Sequence, residues 1–215
     1  VENKIEYIIV YFVADFYNSR FDPRKDNFQN CGWGSVKSQT TRFEQLFRET
    51  DFDGKRILDF GCGTGDLVSY LCRQKTDFSY LGVDVSNNLL EQATKQFKNK
   101  SHVQFCLGDF DDRKKEILEF APDISVASGV FTLKRPSKDN IEYAKSLLTR
   151  LVELSNEMVA VNFMSTKVDF TNPKNFHFDP DKMVEFSTSL SDQVSIFEDY
   201  GLWEFTIHIH KIDEN

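Results

Sequence analysis

Apolar residues in this chain fall into short, nearly continuous runs, and the stretches between them carry a helical period. The runs are 57–60, 80–85, 103–107, 124–127 and 158–163. Runs of this length with little polar alternation suit parallel strands covered on both faces. Between them, Ser86 stands where it can cap a helix reaching to about Phe97. Ser137 can cap another that carries Ile141, Ala144, Leu147, Leu148, Leu151 and Val152 on one side. Near the start, Ile5, Ile8, Ile9, Phe12, Val13 and Phe16 share one helical face, which predicts a helix packed on the domain or lying over its ligand cleft. Residues 194–197 and 203–209 flank Asp199-Tyr200-Gly201 and read as two strands joined by a turn. No internal repeat, low-complexity tract or linker interrupts the pattern, so residues 1–215 read as a single α/β domain.

The first apolar run leads directly into Gly61-Cys62-Gly63-Thr64-Gly65 and then into a helical segment. Glycines at alternate positions let the backbone turn sharply and lie close to a ligand. The amides opening the next helix then face that ligand, at the carboxyl end of a strand where open α/β sheets bind nucleotides. The spacing narrows the choice. A dinucleotide fingerprint needs a third glycine where Asp66 stands, counting from Gly61, or where Val68 stands, counting from Gly63. No G-x-x-x-x-G-K-S/T occurs, which excludes a P-loop.

The pattern D-x-G-C-G-T-G, from Asp59 to Gly65, closely resembles motif I of the class I S-adenosylmethionine-dependent methyltransferases. The resemblance runs over about residues 30–211 and is strongest from Ile57 to Asp109. It implies a Rossmann-like seven-stranded sheet, mostly parallel with a C-terminal antiparallel strand, and helices on both faces. It implies residues 1–50 as a helical cap over the cleft and 51–215 as the core, with an insert near 166–192. S-adenosyl-L-methionine is the implied cofactor, held in part by Asp59, Gly61, Cys62, Gly63 and Gly65. A carboxylate at Asp84, 19 residues after Gly65, can accept from both ribose hydroxyls, with Val85 beside it and Gly82 keeping the approach open. Asp109-Phe110 matches the family's adenine position, the acid for the exocyclic amine and the ring to cover the base. Asp111 and Asp112 compete with Asp109 for the cap of the next helix.

Ser128-Gly129-Val130-Phe131 bears on the acceptor. It lacks the paired prolines of enzymes that methylate base amino groups, and the two glutamates of arginine methyltransferases. The small Ser128-Gly129 pair would let the cofactor's methionine part lie against the backbone. Trp33, between two glycines, precedes a helix entered at Ser35, on which Ser38 and Arg42 share a face that can meet the cofactor's carboxylate. With Asn162-Phe163-Met164-Ser165, this block is similar to bacterial small-molecule methyltransferases. His177 is the candidate catalytic base, with Tyr200 and Tyr17 as weaker alternatives. Asp179-Pro180 reads as a helix cap. His208 and His210 share a face of one strand, read as surface or edge positions and not as metal ligands; no metal is expected.

Composition trims the remaining classes. The formal charge is 26 − 34 = −8, which disfavours a nucleic-acid partner or an anionic membrane surface. The apolar run 8–14 is too short to span a bilayer. Four cysteines without CxxC spacing point to a reducing, cytoplasmic setting. The expectation is methyl transfer to an oxygen, or a nitrogen, of a small molecule such as a sugar-type or secondary metabolite. A non-catalytic S-adenosylmethionine-binding module and an RNA methyltransferase are the alternatives. Oligomeric state is not legible.

Overall fold

The computed structural model describes residues 12–74, 76–135 and 140–211. Helix α1 (12–20), α2 (Asn27–Asn30) and α3 (Val36–Leu46) precede the sheet. Then come β1 (Lys55–Phe60), α4 (Asp66–Arg73), β2 (Phe78–Asp84), α5 (Asn87–Phe97) and β3 (Val103–Leu107). The chain continues through α6 (Lys114–Phe120), β4 (Ile124–Ala127), α7 (Asn140–Leu154) and β5 (Met158–Met164). It ends with α8 (Pro180–Thr188), β6 (Gln193–Phe197) and β7 (Glu204–His210).

The seven strands lie in the order β3-β2-β1-β4-β5-β7-β6, with β7 antiparallel to both neighbours and the first five strands parallel. This is the expected seven-stranded, Rossmann-like sheet. Strand order reverses at β1, which pairs with β2 on one side and β4 on the other. Adjacent crossovers there leave to opposite faces, so a crevice opens beyond the carboxyl end of β1.

Side chains alternate across each strand, and β5 shows how both faces are filled. Met158 and Ala160 join a core with Phe43 and Leu46 of α3, Leu67 and Leu71 of α4, and Leu90 of α5. Val159, Val161 and Phe163 join the other core, with Ile117 of α6, Leu147 and Leu151 of α7, and Met183 of α8. Helices therefore cover both faces. Ser86 caps α5 by accepting from the Leu89 amide, and Asp179 caps α8 by accepting from the Asp181 amide, with Pro180 in the first turn.

Some expectations need amending. His208 is buried, not at a surface or edge, and its Nε2 lies 2.8 Å from the Gln45 carbonyl under α3. Burial lowers its pKa to about 4. Phe12, Val13 and Phe16 lie on or at the start of α1, whereas Ile5, Ile8 and Ile9 fall outside the described residues. Ser137, the expected cap of α7, also falls outside them. Among the described residues no helix is long and apolar enough to cross a membrane.

Candidate active site

The glycine loop is anchored from β2. The Gly61 amide donates to the Val83 carbonyl at 2.7 Å, and the Gly63 amide donates to Asp84 Oδ2 at 2.8 Å. The other oxygen of Asp84 accepts from the Ser86 amide at 2.8 Å. Gly61 and Gly63 have φ of 78° and 55°, in the region that disfavours a side chain. A Cβ on Gly61 would stand 2.4 Å from Val130 Cγ2, and one on Gly63 would stand 2.7 Å from Cys31 Sγ. Backbone sterics and crowding thus both demand glycine there. Asp84 keeps lone pairs beyond these two bonds, and burial pushes its pKa up.

These groups open onto a cavity of about 400 Å³. Its floor is Asp59, Gly61, Cys62 and Gly63 at the end of β1, with Asp84 and Val85 at the end of β2. Asp109 and the pair Ser128-Gly129 contribute from the turns after β3 and β4, and Trp33 and Tyr17 from the N-terminal segment. Trp33 stands directly over Gly129: a Cβ there would meet its ring at 2.6 Å. Asp59 is buried and accepts from the Tyr80 hydroxyl at 2.6 Å. Burial raises its pKa to about 7, against the Tyr80 bond and with help from the charges of Asp84 and Asp66. Burial raises the Cys31 thiol to about 12, so it is no ready nucleophile.

Seven expected site residues do not line this cavity. Arg42 is committed to Glu204 of β7 by two parallel hydrogen bonds, one of 2.7 Å from Nε to Oε2 and one from Nη2 to Oε1, and its guanidinium also stacks on Trp33. A carboxylate of the protein itself occupies the fork expected to meet the cofactor. Ser38 belongs to the capping turn of α3, where its hydroxyl donates to the Ser35 carbonyl. Phe110 is in the core against Phe60, not over an open ring face. Gly65 caps α4 and leaves room for the rings of Phe97 and Phe105. Gly82 likewise makes space for the Cys62 thiol and Phe105, and not for a ligand. His177 lies off the wall, and Tyr200 is occupied by a hydroxyl bond with Thr206 on β7. Asp109, in turn, accepts from the Asp112 amide at 2.9 Å while still facing the cavity.

Comparison with known proteins bears on what such a cavity holds. The family model described as a methyltransferase domain matches residues 57–152. Rv1506c of Mycobacterium tuberculosis, an inferred methyltransferase, is 29% identical over 160 residues, covering 72% of this chain and 92% of that protein. The malonyl-[acyl-carrier protein] O-methyltransferase of Halalkalibacterium halodurans is 34% identical over 103 residues, 45% of this chain and 38% of that one. Shorter stretches match methyltransferases named for transfer or ribosomal RNA. Magnesium protoporphyrin IX methyltransferase of Synechocystis, solved with S-adenosylmethionine, superposes with a TM-score of 0.64 at 14% identity, covering 94% of this chain and 97% of that one. At that identity the superposition speaks for the fold.

The matched methyltransferase-domain model, the curated relatives and the shared fold support a class I S-adenosylmethionine-dependent methyltransferase. The cavity fits that cofactor on its own terms. The carboxylates of Asp59, Asp66, Asp84 and Asp109, all on its wall, suit a ligand bearing a diol and positive charge. Among the described residues no group of side chains is arranged to hold a metal ion.

The site has bonds that sequence reading did not foresee. Asp66 ties the cap to the loop: Asn27 Nδ2 and Gln39 Nε2 each donate to it at 2.9 Å, from α2 and α3, and Thr64 donates from the loop itself. Asn162 on β5 accepts from the Gly129 amide at 3.0 Å and donates to Ser128 Oγ at 3.1 Å, fixing the turn after β4. Asn18 on α1 accepts from Ser86 Oγ and from the Asn88 amide, which fastens α1 to the start of α5. The acid after Gly65 carried a signal, its place at a helix start beneath a dipole. Asn18 carried none, and Asn162 stood out only as part of the segment 162–165, with no sign of its bonds to the turn after β4.

Proposed function

We propose that this methyltransferase transfers the methyl group of S-adenosylmethionine to an oxygen, or a nitrogen, of a small molecule. The observation that carries the reading is the Asp84 carboxylate, oriented by the Gly63 and Ser86 amides at the lip of the glycine floor. In this reading Asp84 grips the ribose diol, Asp109 takes the adenine amine, and Gly61 and Gly63 let the ligand lie on the backbone. Asp59 and Asp66 offset the positive charge. Ser128 and Gly129, held by Asn162, flank the methionine part beneath Trp33.

The cofactor, when bound, supplies a methyl group already activated by its sulfonium. The chain's task is then to hold the acceptor in line and to keep water out, and such positioning can contribute ~7–11 kcal/mol in favourable cases. Tyr17 and Phe16 of α1 line the cavity, so water exclusion on that side falls to the N-terminal segment. His177 has no place in this scheme, because it does not reach the cavity.

The matches to O-methyltransferases named for malonyl and fatty-acid substrates and the charge of −8 support a small acceptor over nucleic acid, and cysteines without CxxC spacing fit a cytoplasmic setting. The test is incubation of the protein with tritiated S-adenosylmethionine and a metabolite extract. Label should move into small, extractable products. Transfer to added RNA instead, or tight cofactor binding with no transfer to either pool, rejects the proposal.

A further inference from the structure

The cavity wall carries charges of both signs. Its acids, Asp59, Asp66, Asp84 and Asp109, stand on the strand-end side that the cofactor reading uses. The wall built by the turn after β4 and the segment after β5 has a different character. Arg135 and Lys174 line it, together with Thr132, Asn172 and Asn175, and no described acid does. The two segments are joined by the backbone, since the Lys134 amide donates to the Lys174 carbonyl at 2.8 Å and Leu133 bridges Asn175.

Arg135 is the unusual member. Its residue is 7% exposed, yet among the described residues its guanidinium has no carboxylate partner. What it has is the ring of Tyr143, 3.3 Å from the guanidinium carbon to the centroid. A guanidinium does not shed its proton, and a buried charge without a counter-charge is costly. A cation–π contact returns only part of that cost. Proteins keep such a charge where a ligand completes it.

We propose that Arg135, with Lys174 at its side, forms an anion-binding subsite for the methyl acceptor, which is therefore a small molecule carrying a carboxylate or phosphate group. The inference rests on the methyl-transfer reading for the word acceptor, but the anion site itself does not. The acids serve the positively charged ligand, while Arg135 and Lys174 offer a negatively charged one its counter-charge. Arg135 suits the task because its fork meets a planar or tetrahedral oxyanion with two parallel bonds.

The test is titration calorimetry of the full chain saturated with S-adenosylhomocysteine, using phenylacetate and phenyl phosphate against neutral phenylacetamide. The anions should bind about ten-fold or more tighter than the amide, the worth of one charge-assisted pair. Arg135→Gln should abolish that preference, Arg135→Lys should restore part of it, and both should keep the wild-type affinity for S-adenosylhomocysteine. The two anions tell carboxylate from phosphate. Equal binding of anion and amide by the wild type overturns the proposal. So does loss of S-adenosylhomocysteine affinity in Arg135→Gln, which would make the cofactor's own carboxylate the partner. A lowered Tm with the preference intact makes Arg135 structural and also overturns it. If S-adenosylhomocysteine fails to bind the wild type, the methyl-transfer reading falls. The anion preference, measured without it, then judges the subsite alone.

Discussion

Gly63 and Asp84 are joined by a 2.8 Å bond from the amide of the glycine loop to Oδ2 at the end of the neighbouring strand. One carboxylate thereby sets the loop and faces the cavity. Asparagine cannot replace it. Both oxygens of Asp84 accept from amides, and the asparagine NH₂ would have to turn a donor against one of them. Asp84→Asn should weaken S-adenosylhomocysteine binding by about 2–4 kcal/mol, the loss of charge-assisted bonds plus an unpaired amide. Calorimetry reads it directly, and an unchanged Kd contradicts the assignment.

Arg42 and Glu204 are 162 residues apart, and their side chains are 11% and 8% exposed. The pair clamps α3 onto β7. Arg42→Ala leaves Glu204 buried without a partner, which should cost about 3–5 kcal/mol in denaturant unfolding. Arg42→Met combined with Glu204→Leu should recover most of that. Affinity for S-adenosylhomocysteine should be the same in both, since Arg42 does not line the cavity. A selective loss of cofactor affinity would return Arg42 to its expected role.

Asp59 and His208 shape stability against pH in opposite senses. Asp59 has its pKa raised by burial from 3.8 to about 7. The unfolded chain releases that proton first, so this contribution is full below pH ~4 and is lost as pH rises toward 7. His208 has its pKa lowered by burial from 6.5 to about 4. Here the unfolded chain takes up the proton first, so stability is lost as pH falls from ~6.5 to 4. The two slopes largely cancel in the wild type. Asp59→Asn should expose a stability that climbs by a few kcal/mol from pH 4 to 6.5, at ~1.4 kcal/mol per pKa unit. Unfolding midpoints across that range check it; a flat profile in the variant refutes it.

Asn162 holds the turn after β4 by one accepted and one donated bond. Asn162→Leu keeps the volume and strips both. The Gly129 amide would lose its acceptor, at a cost of about 1–3 kcal/mol. Methyl transfer should fall more than cofactor affinity, because in the proposed reading Ser128 and Gly129 flank the methionine end and not the ribose. Equal losses in kcat and in S-adenosylhomocysteine binding would count against this placement.

What could be read from the chain alone was local. The five apolar runs appear as β1 to β5, and the spacing from Asp59 to Gly65 led to the cofactor, because a strand, a glycine turn and a helix start are contiguous in sequence. Tertiary structure decided what depends on residues far apart. Arg42 looked free for a ligand carboxylate until β7 brought Glu204 to it, and Phe110 looked available for a base until Phe60 covered it. His208 passed for an edge residue because nothing near it in sequence announces that α3 lies on top. Arg135 drew no notice in sequence either. Its meaning comes from a burial that leaves its charge unanswered, and that is a property of the folded cavity.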